Sequence, residues 1–270
     1  MGQQIGNQQT NSDKSPASLA DWLATPLGAY TLARERAWLD KLTPDIFGYH
    51  AVQFGLPEFD LLRESRITHR LVVSPTLSAH ATVAAQFHEL PFEALSVDLC
   101  LLPHTLEFAD NPHDILREVN RIMRPEGRVV IIGFNPWSLF GVKRLWSDHR
   151  MPWSGQFISL VRMKDWLQLL GFEASQGHLT CYIPPVQSTK WQRHWRFMEG
   201  VGDRWWGVAG GVYMFEAIKR VKGLRLMAPA WNQSRNKEPK FATVAQSSPS
   251  RRQQHPRSTA DVVAHLKVIK

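Results

Sequence analysis

Cysteine is scarce in this chain: 270 residues hold two, Cys100 and Cys181, far apart and each in an apolar stretch. With no C-x-x-C pair, neither a disulfide framework nor a cysteine zinc site is expected. Two buried free thiols in a reducing cytoplasm are. Long apolar runs are also absent, and none reaches the roughly 18 residues that a membrane-spanning helix needs. The N-terminal residues are polar, which does not suit a secretory signal. Gly6 stands where a myristoylation signal requires Ser or Thr. No nucleophile–base order, metal-ligand spacing or phosphate-binding loop is present, and the 11 His are scattered. These absences leave no residue assigned to catalysis and none to a metal.

What is present is apolar and aromatic. The chain is 43% hydrophobic and 10% aromatic with 11 Trp, enough to bury a sizeable core. The net charge of +8 is unevenly spread. Residues 219–270 carry twelve Lys or Arg and two acids, whereas the other 218 residues carry 20 basic and 22 acidic groups. The folded part is therefore near neutral, so the basic balance does not indicate a DNA-binding domain. The basic tail has two readings: a solvated, disordered segment, or a contact for anionic membrane or RNA.

Patterning along the chain alternates. Ser18 caps a first helix, with Asp21 as its capping-box partner and Leu19, Trp22 and Leu23 on one face. Leu32, Arg36, Leu39 and Leu42 mark a second helix, which stops at Pro44. Strands are then expected over 50–55, 69–74, 82–87, 97–102 and 128–134. Helices are expected over 58–64 and 111–123, the latter with Pro112 in its first turn and a stripe of Ile115, Leu116, Val119 and Ile122. A helix over 163–170 closes on Gly171, and two last strands read over 177–183 and 211–217. Alternation with apolar strands implies a parallel α/β sheet covered on both faces, with one of the last strands antiparallel at the edge.

One segment carries a recognisable order. Leu90-Pro91-Phe92 is followed by Val97-Asp98-Leu99, then by Pro103-His104-Thr105-Leu106-Glu107-Phe108. Leu116-Arg117-Glu118 and Arg121 lead to Arg124-Pro125-Glu126-Gly127. This order resembles the class I S-adenosylmethionine-dependent methyltransferases, especially the branch like the ubiquinone and menaquinone biosynthesis enzymes. The resemblance runs over about 48–221 and is most specific over 90–134. It implies a Rossmann-like fold: a mostly parallel seven-stranded sheet, helices on both faces and an antiparallel edge strand. The implied organisation is a disordered N-terminus (1–17), a helical extension (18–46), a methyltransferase-like domain (47–222) and the basic tail (223–270). Trp-rich insertions fall at 135–155 and 187–208.

The resemblance also assigns a site. Ligands of open α/β sheets sit beyond the carboxyl ends of the strands, where Pro103 and His104 would line the S-adenosylmethionine pocket. Gln86 stands where the family often has an acid that reaches the adenine amino group, and the Phe87 backbone N–H would meet a ring nitrogen; the plain reading of both is a strand end. Gly55 matches the first glycine of the family's loop, but Leu56-Pro57-Glu58 replaces the rest. Gln53 replaces the acid before the loop, and Ser74-Pro75 follows strand two where an acid grips the ribose. Asp98 and Glu107 read as structural. Trp137, Phe140 and Trp146, among Lys143 and Arg144, are candidates for an aromatic, basic wall that recognises the substrate, or simply pack on the domain body. Methyl transfer to a small or medium organic molecule is the expected activity; the alternative is an inactive binding or scaffold descendant of the fold.

Overall fold

The computed structural model describes residues 16–147, 151–188, 195, 199–200 and 208–220. By compactness the chain divides into two units, 1–223 and 224–270. The basic tail of the second unit, the polar N-terminal residues and much of the 187–208 insertion lie outside the described residues.

The first helix, α1 (Leu19–Leu23), begins at Ser18 with both halves of the capping box made: Ser18 Oγ accepts from Asp21 N, and Asp21 accepts from Ser18 N. Thr25 caps α2 (Pro26–Leu42). The strands follow: β1 (His50–Phe54), β2 (His69–Ser74), β3 (Val83–Ala84) and β4 (Val97–Pro103). Then come α3 (Pro112–Ile122), β5 (Met123–Phe134), α4 (Leu139–Leu145), α5 (Leu160–Leu169), β6 (Phe172–Thr180) and β7 (Val212–Lys219). One seven-stranded sheet results, in the order β3-β2-β1-β4-β5-β7-β6. All pairings from β3 to β5 are parallel; β7 runs antiparallel to both neighbours, one place in from the edge.

The two-residue period of the strands sorts side chains into two cores. Val52, Phe54, Val73, Cys100, Leu102, Val129 and Ile131 point to one face, where the apolar stripe of α3 and Met163 and Leu167 of α5 cover them. Ala51, Leu99, Leu101, Val130, Ile132 and Phe134 point to the other, where Trp22, Leu23, Leu27, Leu32 and Leu39 of α1 and α2 lie. The N-terminal helices thus form one of the two layers over the sheet.

Three expected elements differ. Residues 58–64 form turns, not a helix. Pro57 withholds an N–H, and the side chain of Gln53 binds the carbonyls that a helix would use internally. The strand expected over 82–87 is reduced to Val83–Ala84 at the sheet edge. The strand expected over 177–183 begins at Phe172, directly after the turn at Gly171, whose φ of +85° suits the left-handed helix cap.

The segment 90–134 earns its pattern mechanically. Leu90 N donates to Glu118 Oε1 at 2.9 Å, and Arg121 Nη2 donates to the carbonyls of Leu90 (3.1 Å) and Phe92 (2.9 Å). Glu118 and Arg121 also pair with each other, so α3 clamps the Leu-Pro-Phe turn. Asp98 Oδ2 accepts from the backbone N–H groups of Tyr49 and His50 and ties the start of β1 to β4.

Candidate functional site

A cavity of about 500 Å³ lies beyond the carboxyl ends of β1, β2 and β4. That size falls within the roughly 300–1,000 Å³ usual for small-molecule sites. Phe54, Gly55 and Leu56 form one wall, and Ser74 and Pro75 a second. Gln86, Phe87 and His88 form a third, and Pro103, His104 and Thr105 line it from β4. Five of the six expected cofactor positions, Gly55, Gln86, Phe87, Pro103 and His104, therefore line one cavity.

Gly55 has φ +79°, a conformation that glycine adopts without strain. A Cβ there would meet Phe87 Cζ at 3.5 Å, an ordinary contact, so the positive φ rather than lack of space favours glycine.

Gln53 is the exception and corrects the expectation. It is fully buried and does not line the cavity. Its amide nitrogen lies 3.0, 3.1 and 2.9 Å from the carbonyl oxygens of Gly55, Leu56 and Phe59, and its amide oxygen accepts from Leu61 N at 3.1 Å. The side chain folds the loop; the acid for which it stands would have no hydrogen to donate.

His104 is among the residues lining the cavity, and its ring is held from both sides. It has φ +53° and no exposed surface. Nε2 lies 2.9 Å from Glu35 Oε1 of α2, and Nδ1 lies 2.9 Å from Glu107 Oε2. Glu107 Oε1 accepts from Phe134 N–H, and the Phe134 ring stacks on the imidazole at 4.1 Å. Burial opposes the imidazolium, but the two carboxylates outweigh it and raise the His104 pKa to about 10. Burial likewise raises Glu107, against the pull of His104 and the Phe134 N–H. Sequence reasoning misses Glu35. Its signal is an acid on the buried stripe of α2, between Leu32 and Leu39.

The aromatic candidates separate. Phe140 is fully buried against Phe134 and Trp153 and belongs to the core, not to a binding wall. Trp137 is 79% exposed and lines a second, mostly apolar cavity of about 670 Å³ with Val142, Leu145, Phe157 and Tyr182. Trp146 is 85% exposed and is not among the residues lining either cavity. Lys143 and Arg144 turn back onto the carbonyls of Pro185 and Trp153. Met151, from the same stretch after β5, lines the first cavity.

The first cavity fits a nucleoside-bearing cation. Its described lining contains no Lys or Arg, includes Asp110 and Asp114, the latter paired with Arg117, and offers Ser74 and Gln86 as polar partners between aromatic walls. Among the described residues, no group of His, Cys, Asp and Glu is placed to hold a metal ion, and no helix is long and apolar enough to cross a membrane.

Comparison with known proteins agrees with this geometry. Residues 64–131 match the methyltransferase domain family profile. The chain is 33% identical over 180 residues to the uncharacterized protein YafS of Escherichia coli K12, covering 64% of this chain and 70% of that protein. Over 81 residues it is 35% identical to the ubiquinone/menaquinone biosynthesis C-methyltransferase UbiE of Bartonella tribocorum, which spans 28% of this chain and 31% of that one. A methyltransferase from Thermotoga maritima superimposes with a TM-score of 0.56 at 16% identity, over 74% of this chain and 93% of that one. One from Archaeoglobus fulgidus gives 0.50 at 18% identity, over 70% and 99%. With the strand order, the clamped Leu-Pro-Phe turn and the cavity at the carboxyl edge, these matches place the chain in the class I S-adenosylmethionine-dependent methyltransferase family, whose cofactor is S-adenosylmethionine.

Proposed function

We propose that the protein transfers a methyl group from S-adenosylmethionine to a small or medium organic acceptor, and that the donor occupies the cavity between Gly55 and His104. The observation that carries this reading is the convergence of Gly55, Ser74, Gln86, Phe87 and Pro103 on one cavity that lacks Lys and Arg among its described lining. The bound donor supplies a methyl group already activated by its sulfonium, so the protein needs alignment and exclusion of water more than acid–base chemistry. Gly55 and Leu56 would bring backbone close to the donor, the Ser74 hydroxyl would hold its ribose, and Gln86 with the Phe87 backbone would hold the adenine. Pro103 and His104 form the floor, with the His104 ring held by its two acids. Acceptor recognition falls to the segment after β5, where Met151 reaches the first cavity and Trp137 lines the second. The two free, buried thiols support a cytoplasmic setting.

Calorimetric titration with S-adenosylmethionine and S-adenosylhomocysteine tests this directly. Saturable binding of either ligand is expected, and absence of heat at millimolar ligand would leave the scaffold alternative standing. Gly55→Val should weaken binding of both ligands by at least about tenfold, because a β-branched residue is strained at positive φ and its side chain narrows the gap to Phe87. A variant that binds as tightly as the parent would remove Gly55 from the site. Contact of the basic tail with anionic membrane or RNA is a separate proposal resting on its charge alone; salt-sensitive pelleting with anionic vesicles or RNA, lost on deleting 232–270, is its test.

A further inference from the structure

Beneath the cavity floor sits a charge that hydrogen-bond arithmetic fixes. A carboxylate oxygen only accepts, while each imidazole nitrogen either donates or accepts. The two N···O contacts of His104, both 2.9 Å, therefore need one proton each. Two protons shared among Glu35, His104 and Glu107 leave one net negative charge, since a third on Glu35 Oε2 would be a buried O–H with no acceptor. This holds whether the ring is an imidazolium between two carboxylates or a neutral ring beside one carboxylic acid. The remaining oxygens add no compensating cation. Glu107 Oε1 takes the Phe134 N–H, and Glu35 Oε2 has no hydrogen-bond partner among the described residues. Side-chain exposure of the three groups is 0–1%, so solvent and salt screen this charge weakly. His104 itself lines the cavity, and Lys and Arg are missing from its described lining, where His88 is the other basic side chain.

We propose that the buried Glu35–His104–Glu107 group makes the pocket charge-selective, so that it holds the cationic sulfonium donor more tightly than the neutral thioether product. This rests on the methyltransferase reading above. It gives the N-terminal helices a part in turnover: Glu35 comes from α2, reaches no ligand, and acts through the field of the group it completes. The two acids at the loop and after β2 that the family's pattern would provide are replaced here by Gln53 and Ser74. Besides Asp110 and Asp114 of the lining, a negative charge lies under the floor, where it would contact neither ribose nor adenine and would give the neutral product no share of the attraction.

Equilibrium titration of the full chain with S-adenosylmethionine and S-adenosylhomocysteine, at low and high salt, reads the effect as a ratio of Kd values. The expected ratio favours the donor by about tenfold and changes little with salt. A double variant carrying Glu35→Gln and Glu107→Gln removes the charge and keeps the hydrogen bonds. The new amide at position 107 accepts from Phe134 N–H and donates to Nδ1, and a neutral ring donates from Nε2 to the amide oxygen at position 35. In that variant the ratio should collapse toward one through loss of donor affinity, with product affinity held. Equal or tighter product binding by the parent overturns the proposal, as does an equal loss of both ligands in the variant, which is the result of a merely structural role. If the double variant does not fold, Glu35→Gln alone, which also leaves the group neutral and alters no residue of the cavity lining, reads the same ratio. Binding of neither ligand to the parent defeats the methyltransferase reading itself, which is a different failure from a flat ratio.

Discussion

His104→Leu should lower the free energy of unfolding by about 3–5 kcal/mol, the cost of breaking a buried ion pair from one side. The change leaves Glu35 and Glu107 facing one another with no proton donor between them, in a layer that solvent does not reach. It also replaces a residue that adopts φ +53° with a bulkier one there. Denaturant unfolding of the two proteins measures the difference, and a loss under about 1 kcal/mol would mean that the three groups are not coupled as the distances imply. The pH dependence carries the same signature. The folded-state pKa of His104 is raised to about 10, above its ordinary value near 6.5. Its contribution is therefore complete below the ordinary value and is lost as pH rises through about 10. Glu107 is also raised, which has the same sign. Tyr213 and Cys181, which feel Glu107 and Glu35, are pushed by burial well above their ordinary values. The parent should lose stability between neutral pH and about pH 10, and the Leu variant should lose less over that window.

The second large effect concerns Gln53. The family pattern makes Gln53→Glu look like a repair that restores a missing acid. The structure gives the opposite result: a loss of about 3 kcal/mol and weaker, not tighter, donor binding. A carboxylate at 53 still accepts from Leu61 N but offers nothing to the carbonyls of Gly55, Leu56 and Phe59, and instead sets an anion 2.9–3.1 Å from three oxygens. Leaving buried backbone acceptors unpaired costs about 1–3 kcal/mol each. The loop that presents Gly55 then loses the contacts that fold it. Denaturant unfolding and calorimetry on the same variant check both halves, and a tightening of S-adenosylmethionine binding would refute this account of the loop.

These two residues show where sequence is informative and where it is not. The stretch from Leu90 to the end of β5 is legible because its residues keep the family's order: Glu118 and Arg121 sit three apart on one helix turn and clamp the Leu-Pro-Phe backbone 28–31 positions upstream. Alternating apolar residues in β4 and β5 are legible because they face two cores. The loop after β1 is not. Gln53 reads as a weakened ligand because the family pattern has an acid there, whereas its amide uses both donor and acceptor on backbone two to eight residues ahead. Phe140 reads as part of a binding wall because it stands among exposed aromatics, but helix periodicity sends it inward while Leu139 and Val142 stay at the surface. Glu35 escapes notice because its partner lies 69 positions away. An acid at a core position of an amphipathic helix is nonetheless a signal that a buried cation or proton donor must meet it.

The place of β7 bears on how such a chain is made. Residues 212–218 slot between β5 and β6, and every backbone group that β5 turns toward that side waits for them. A nascent chain that has emerged only through β6 therefore exposes the bare edge of β5, lined by Val130, Ile131 and Ile132, while β6 has no neighbour of its own to join. That edge is a template for pairing with another chain. Biosynthesis of this protein thus has a vulnerable interval, which closes when β7 leaves the ribosome.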